Sequence, residues 1–446
     1  MSMRDTFNCI IMGAAGRDFH DFQRFFRERP QFRVVAFTAT QIPFIAARAF
    51  PRALAGPHYA ADIPIHPEEA LPALLREHAV DWVFLAYSDL RHEDVMHKAS
   101  LVQSLGASFA LLGPRATELV SARPVVAVVA SRTGAGKSPL SLWLAQGLQA
   151  RGLRVGILRH PMPYGELAAQ AVQRFASLED LERQHCTVEE REEYTPYVEA
   201  GMTIHAGVDY ARVLAAAEQD ADLILWDGGN NDGPFVRPDC LVCVVDALRP
   251  GHETAYYPGE TNLRRADVVV LSKTGGVNAE ARAALRASVA AVNPRASIVE
   301  SDLKISVDDA AAIRGRRALV VEDGPTLTHG GMRYGAGTLA AKREGAAALV
   351  DPRPHAIGSI ADTLRDYPRL ARVLPALGYS AAQLRELAAT ISAAAAAGAE
   401  VLVDASPGRV SQLIELPLPA VRVRYAFEPL AGPPLLDLVL ARCRAK

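Results

Sequence analysis

Short apolar runs alternate with helix-length segments along almost the whole chain, and this limits the folds open to it. The runs are Cys9–Met12, Val34–Phe37, Trp82–Ala86, Phe109–Leu112, Val125–Ala130, Val155–Leu158, Leu223–Trp226, Leu241–Val245, Val268–Leu271, Ala318–Val321 and Val401–Val403. They are continuously apolar, as strands covered on both faces must be. Strand–helix alternation predicts doubly wound parallel α/β sheets with right-handed crossovers. The segment LLGPRATELVSARPVV, with Pro114 and Pro124 bracketing a short helix, reads as a connector. It divides the chain into an N-terminal domain of residues 1–121 and a larger one of 122–446. Residues 350–446 read as an extension of the second sheet, because no Gly/Ser-rich linker precedes them. Within them, ADTLRDYPRLARVLPAL and AAQLRELAATISAAAAA are helix-like, the second ending at Gly398, and EVLVDA and AVRVRYAF are strand-like.

The bulk properties exclude several function classes. A chain of 446 residues with 50% hydrophobic content buries a large core, and its net charge of −2 comes from interspersed acids and bases. No basic stripe marks a nucleic-acid surface, and no apolar run reaches the roughly 20 residues of a membrane span. A soluble cytoplasmic protein is expected, with neither nucleic acid nor membrane as partner and a homodimer left open. Cys240 and Cys243 form a lone C-x-x-C. Without a second pair they read as buried small residues rather than a zinc or redox site.

Ligands of open parallel sheets bind at the carboxyl ends of strands. After the apolar runs come GAAGRDFH, YSDLRHE, SRTGAGKS, RHPMPYG, DGGNND, DALRPGHE, SKTGG and EDGPTLTHGG. Gly, His, Arg, Asp and Lys gather there repeatedly, which ordinary solvated loops do not require. SRTGAGKS sits between a strand and a helix and matches a phosphate-binding P-loop, with Ser131 in place of the first glycine. Gly134, Ala135 and Gly136 let backbone N–H groups curl around a phosphate, and the helix N-terminus adds a favourable dipole. Lys137 reaches the β/γ-phosphates, Ser138 is placed for Mg²⁺, and Pro139 suits the first turn of the helix. The larger domain is thus expected to be a P-loop NTPase domain behind a Rossmann-like one. Arg132 falls where the deviant P-loop class carries a second lysine and would pair with phosphate.

Asp227 ends a buried strand, as a second Mg²⁺ ligand would. Ser272-Lys273-Thr274-Gly275 stands where a guanine-selective protein has N-K-x-D. Lys273 is kept as a nucleotide-binding residue, and the missing acid favours ATP. Arg17, His20, Arg91, His92, Arg249 and His329 are candidate ligands of a second, anionic substrate, and Arg159, His160 and His252 candidate catalytic groups. GAAGRDFH is spaced G-x-x-G and reads as an anion-binding turn rather than a dinucleotide fingerprint. The acidic run holding Glu189, Glu190, Glu192 and Glu193 reads mostly as a solvated helix face.

With these strings in view, the sequence resembles the cyclic 2,3-diphosphoglycerate synthetase family, whose bacterial members are often labelled P-loop GTPases. The resemblance covers nearly the whole chain. It is carried by GAAGRDFHDF, AYSDLRHEDVMHKAS, RTGAGKS, RHPMPYGEL, CTVEEREEYTPY, AGVDY, ILWDGGNND, RPGHETAYYPGETNLRRAD and VEDGPTLTHGGMRYGAG. It implies a ligase that uses ATP and Mg²⁺ to close an intramolecular pyrophosphate on 2,3-bisphosphoglycerate or a related small phosphorylated metabolite. One substrate phosphate would take a phosphoryl group from ATP, and its neighbour would attack and expel orthophosphate. The alternative is a nucleotide-hydrolysing switch or metallochaperone GTPase of the deviant P-loop class. SKTG lacks the acid that relatives carry, and the composition is not that of a hyperthermophile, so the substrate is expected to differ between members.

Overall fold

The structure is a computed structural model that describes residues 6–14, 16–40, 48–160, 167–228, 231–328, 331–370 and 372–443. It is a mixed α/β fold built on parallel sheets. Every apolar run named above lies in or overlaps a strand. The chain divides into two compact units. One comprises Met1–Asp180, Tyr197–Ser301 and Leu430–Lys446, the other Leu181–Pro196 and Asp302–Pro429.

The first unit holds two sheets. Its N-terminal strands are β1 (Phe7–Met12), β2 (Phe32–Ala39), β3 (Ala49–Phe50), β4 (Ile63–Pro67), β5 (Trp82–Leu85), β6 (Leu90–Arg91) and β7 (Ser108–Ala110). Six of them form a sheet in the order β3-β4-β2-β1-β5-β7, with only the β3–β4 pair antiparallel. Then follow β8 (Val125–Ala130), β9 (Val155–Arg159), β10 (Gln173–Phe175), β11 (Thr203–Ala206), β12 (Leu223–Asp227), β13 (Cys240–Asp246), β14 (Tyr256–Tyr257), β15 (Val268–Ser272) and β16 (Ser297–Val307), the last leaving this unit after Ser301. The second sheet runs β10-β11-β9-β12-β8-β13-β15-β16. All neighbours from β11 to β16 are parallel. Strand β6 pairs with β14, so the loop after β5 is tied to the loop after β13.

Continuous apolar sequence is what this sheet demands. All six residues of β8 and all seven of β13 are buried, with helices over the sheet. Cys240 and Cys243 lie wholly inside β13, and burial pushes the Cys243 thiol up to about 12, so these are inert packing residues. Parallel register brings chemically loaded residues to one edge: Arg159 lies opposite Asp227, and Asp246 opposite Ser272. Beside this edge Phe235 is fully buried, packed on Tyr210 and Trp226 and stacked on His20 at 4.1 Å.

The second unit carries β17 (Arg317–Asp323), β18 (Ala348–Leu349), β19 (Leu374–Ala376), β20 (Val401–Ala405) and β21 (Ala420–Ala431). β20 lies between β17 and β21, and β18 and β19 each pair with β17, all parallel. The helix-like ADTLRDYPRLARVLPAL is helical only over Ser359–Asp366, and its end forms β19. Pro368 accounts for the break, since the residue before a proline is pushed out of helical geometry. Residues Ala381–Ala396 are a helix, as the pattern predicts, and Ser380 caps its start.

The acidic segment differs from the solvated face expected of it. Glu190 is 4% exposed because it and Thr187 exchange capping hydrogen bonds at the start of the helix. Glu192 is raised to about 9, first by burial and then by Glu193 and Asp323. Among the described residues, no helix is long and apolar enough to cross a membrane.

Truncating Phe235 to Ala should cost about 3–5 kcal/mol, as for other buried aromatics. Denaturant unfolding of the full chain, followed by intrinsic tryptophan fluorescence, checks this.

Candidate active site

The loop Ser131–Gly136 joins β8 to the helix Lys137–Gln149. Gly134 and Gly136 have φ of +74° and +111°, a region side chains disfavour, and this lets the chain curl back on itself. No side chain caps the following helix, so its first N–H groups are left for an anion. Ala135 is buried and Ser138 is exposed at the helix start, with Pro139 next to it in the first turn. Desolvation lowers the Lys137 ammonium, opposed by the carboxylates of Asp227, Asp89 and Asp232.

Basic residues hold the loop from outside. Lys273 donates to the Gly134 carbonyl at 2.7 Å and pairs with Asp246 at 2.7 Å. Arg249 donates to the Thr133 carbonyl at 2.8 Å and pairs with the same Asp246 at 2.9 Å. Asp246, the last residue of β13, thus anchors both cations that clasp the P-loop. Gly259 closes the other flank: a Cβ there would lie 2.1 Å from the Ser131 carbonyl oxygen, so only glycine fits.

Arg132 is held across the first unit by a residue that sequence reasoning missed. Its Nε donates to Asp89 at 3.0 Å, and its Nη1 lies 3.1 Å from His252 Nδ1. Its guanidinium lies 3.5 Å from the centroid of the Tyr256 ring, where cation–π attraction adds to the ion pair. The same Asp89 oxygen accepts from Thr133 N at 3.3 Å and Asn231 Nδ2 at 3.2 Å. Asp89 adopts φ +59°, which is strained for a non-glycine residue and here aims the carboxylate at the loop. Its only sequence signal was its place in AYSDLRHE after a strand. His252 is lowered by burial and then by Arg132 and Arg249, so it stays neutral beside them.

Asp227 is fully buried and accepts three hydrogen bonds. They come from Arg159 Nη1 at 2.5 Å, Tyr197 Oη at 2.6 Å and Ser141 Oγ at 3.0 Å. Tyr197 and Ser141 carried no sequence signal for this role. Burial and then Asp227 push the Tyr197 phenol up, which keeps it a donor.

The proposed substrate ligands separate into two groups. His20 is 1% exposed, stacked on Phe235 and 2.9 Å from the Thr117 carbonyl through Nε2. Burial and the neighbouring Arg17 drive it toward the neutral form. His160 is 2% exposed, with Nε2 3.4 Å from Asp232. Both imidazoles are packing and orienting groups, where an open substrate ligand was expected at His20 and a catalytic group at His160, because the aromatic cluster around Phe235 encloses them. Arg17 pairs with Asp21 at 3.0 Å and donates to the Gly233 carbonyl at 3.2 Å. Arg91 pairs with Glu93 at 2.7 Å and His92 lies 3.6 Å from Glu260, both more open to solvent. His329 lies outside the described residues.

No protein-family model matches the chain. Arginine synthetase ArcE of Thermococcus kodakarensis is 52% identical to it over 430 residues, covering 96% of this chain and 95% of the relative. The chain belongs to the family of that arginine synthetase. Among solved structures, an ATP complex of LpxK from Aquifex aeolicus aligns with a TM-score of 0.44 and 11% identity, over 83% of this chain and 99% of that one. The hydrogenase maturation factor HypB of Archaeoglobus fulgidus aligns at 0.24 and 19%, over 40% and 81%. The family assignment rests on the full-length sequence relative.

Two outcomes are expected of this family member. Replacing Lys273 by Ala removes the clasp on the Gly134 carbonyl and should weaken ATP binding about 10-fold with a small change in Tm, as titration with a fluorescent ATP analogue would show. Asp21 is raised from 3.8 to about 7, chiefly by burial, with Asp18 and Asp232 adding to the shift and Arg17 opposing it. Between about pH 4 and 7 the folded state therefore holds a proton that the unfolded state has lost, and stability falls as pH rises through that window. Asp21→Asn should flatten this fall, by an amount on the order of 1–4 kcal/mol in denaturant titrations across the range.

Proposed function

We propose that the protein is an ATP-dependent ligase that phosphorylates an oxygen of a small acceptor and then lets a second nucleophile displace that phosphate. The observation that carries the proposal is the uncapped N-terminus of the helix Lys137–Gln149 behind the left-handed Gly134 and Gly136, with Lys137 beside it. That arrangement fits the triphosphate of ATP. On this reading residues 1–121 form a Rossmann-like domain and 122–446 a P-loop NTPase domain with a C-terminal α/β extension. Mg²⁺, when bound, would neutralise charge shared by the β- and γ-phosphates. The exposed Ser138 hydroxyl fits it. Both Asp227 oxygens are engaged by protein donors, so a direct bond from Asp227 to the metal requires the Arg159 contact to open.

The relative's name supports arginine as the product, and chemistry then supplies the steps. A guanidinium forms when nitrogen replaces the oxygen of a ureido group, as in citrulline, and that oxygen leaves readily only once it is phosphorylated. The ureido oxygen attacks the γ-phosphorus of ATP, and the bond to the β–γ bridging oxygen breaks to release ADP. Ammonia then adds to the ureido carbon, the C–O bond breaks, and orthophosphate departs. The basic site that results retains its proton as guanidinium. The residues around the loop work by alignment and charge neutralisation, since the acceptor oxygen is already a nucleophile.

Charge favours this acceptor over a polyanion. Arg17, Arg132 and Arg159 each pair with an aspartate, and Arg249 and Lys273 share Asp246, so much of the positive charge the sequence displays is already engaged by the protein. A second reading, cyclic pyrophosphate formation from 2,3-bisphosphoglycerate, is supported by the motif strings and by the more exposed Arg91 and His92. A nucleotide switch or metallochaperone would need a protein partner to accelerate hydrolysis and no small acceptor.

Mixing protein, Mg-ATP, citrulline and ammonium should yield arginine, ADP and phosphate in equal amounts, and Lys137→Ala should lower the rate at least about 10²-fold. If no arginine forms, while 2,3-bisphosphoglycerate stimulates ADP release and a cyclic pyrophosphate appears in ³¹P spectra, the second reading replaces the first.

A further inference from the structure

Asp89 gives the P-loop an anion of the protein's own. One of its carboxylate oxygens accepts from the Thr133 backbone N–H at 3.3 Å, from Arg132 Nε at 3.0 Å and from Asn231 Nδ2 at 3.2 Å. Two of these donors belong to the loop itself, and the third follows β12, whose last residue is Asp227. The same carboxylate acts on the Lys137 ammonium, in company with Asp227 and Asp232. A loop N–H, a guanidinium and the loop lysine are the partners a phosphate takes at such a site. Their convergence on a carboxylate marks Asp89 as a rival of a phosphate, beyond its part in shaping the loop.

The γ-phosphate is the one it rivals. The lysine of a P-loop reaches the β- and γ-phosphates. The acid that ends the neighbouring strand, and the segment after it, lie at the γ end, where the transferred group meets its acceptor. Asn231 comes from that segment, so the oxygen it shares with the loop lies toward the γ-phosphate rather than toward the nucleoside.

The surroundings favour exchange over coexistence. Arg132 is 3% exposed, and two of its neighbours are neutral: His252, which burial and the nearby guanidinium groups keep uncharged, and the face of the Tyr256 ring. A second anion brought against the same donors would repel the Asp89 carboxylate and compete for its hydrogen bonds. Arg132 keeps an anionic partner through such an exchange, so no buried charge is left alone. Asp89 is free to give way, being partly open to solvent and holding a left-handed backbone that relaxes once the carboxylate lets go. The pairing of β6 with β14 confines the movement to the turn after β5.

We propose that Asp89 makes the site sense the γ-phosphate: it competes with that phosphate for Arg132 and the Thr133 N–H, and a nucleoside triphosphate displaces it where a diphosphate does not. The inference rests on the reading of the loop as an ATP site. It gives the ligase a means of telling its donor from its product, because ADP leaves Asp89 in place and the carboxylate returns once the phosphoryl group has gone.

Calorimetric titration of the full chain with Mg-ADP and with the Mg complex of the β,γ-imido analogue of ATP tests this in wild type, Asp89→Asn and Asp89→Ala. Removing the competing charge should tighten the triphosphate analogue at least about 5-fold in each variant, while ADP changes less than about 2-fold. A merely structural role would move both nucleotides together, toward weaker binding. Wild type supplies a readout that needs no variant to fold: the analogue, and not ADP, should change hydrogen exchange in a peptide covering residues 86–92. Equal weakening of both nucleotides, no change in either, or hydrogen exchange that ADP and the analogue affect alike would overturn the proposal and leave the ATP site standing. If wild type binds neither nucleotide, the reading of the loop falls and the proposal falls with it.

Discussion

Cations at the carboxyl edge of the P-loop sheet are held by carboxylates at the ends of its own strands and by Asp89, and the shape of the loop depends on those pairs. Asp246 holds Lys273 and Arg249, Asp227 holds Arg159, and Asp89 holds Arg132. A lone charge buried here would cost several kcal/mol, and removing one partner from such a pair typically costs about 3–5 kcal/mol. The pairs are therefore all-or-nothing units. Through them the backbone carbonyls of Thr133 and Gly134 are tied down, and the N–H groups on the other side of the turn stay directed at the place a phosphate would take.

This arrangement separates two roles that look alike in a sequence. A guanidinium clamped by a carboxylate and a loop carbonyl orients the backbone; it carries little net charge to a second ligand. Neutralising the donor's triphosphate then falls to Lys137 and the helix N-terminus, groups that the protein leaves uncapped.

Much of this fold was legible in the sequence, because buried parallel strands leave continuous apolar runs and βα turns leave glycines and polar residues at fixed places. Val125–Ala130 and its loop were readable to the residue, and Asp227 was readable as the acid closing β12. What escaped was pairing across the chain. Asp89 meets Arg132 over 43 residues and Asn231 over 142, and Tyr197 reaches Asp227 over 30. No local periodicity encodes these contacts. His20 looked like a substrate ligand and His160 like a catalytic group because they follow strands, but whether a histidine after a strand faces solvent or an aromatic cluster depends on Phe235, more than 70 residues away in sequence. Cations were legible as residues, but their compensation by aspartates was not.

The account's central claim is that ATP phosphorylates an oxygen of the acceptor, which then leaves with the phosphate. Citrulline carrying ¹⁸O in its ureido group tests this directly. Turnover with Mg-ATP and ammonium in ordinary water should place one ¹⁸O atom in the released orthophosphate for each arginine formed, read as an isotope shift of the ³¹P resonance. Arginine formation with unlabelled phosphate would contradict the claim, because the ureido oxygen would then have departed without ever bonding to phosphorus.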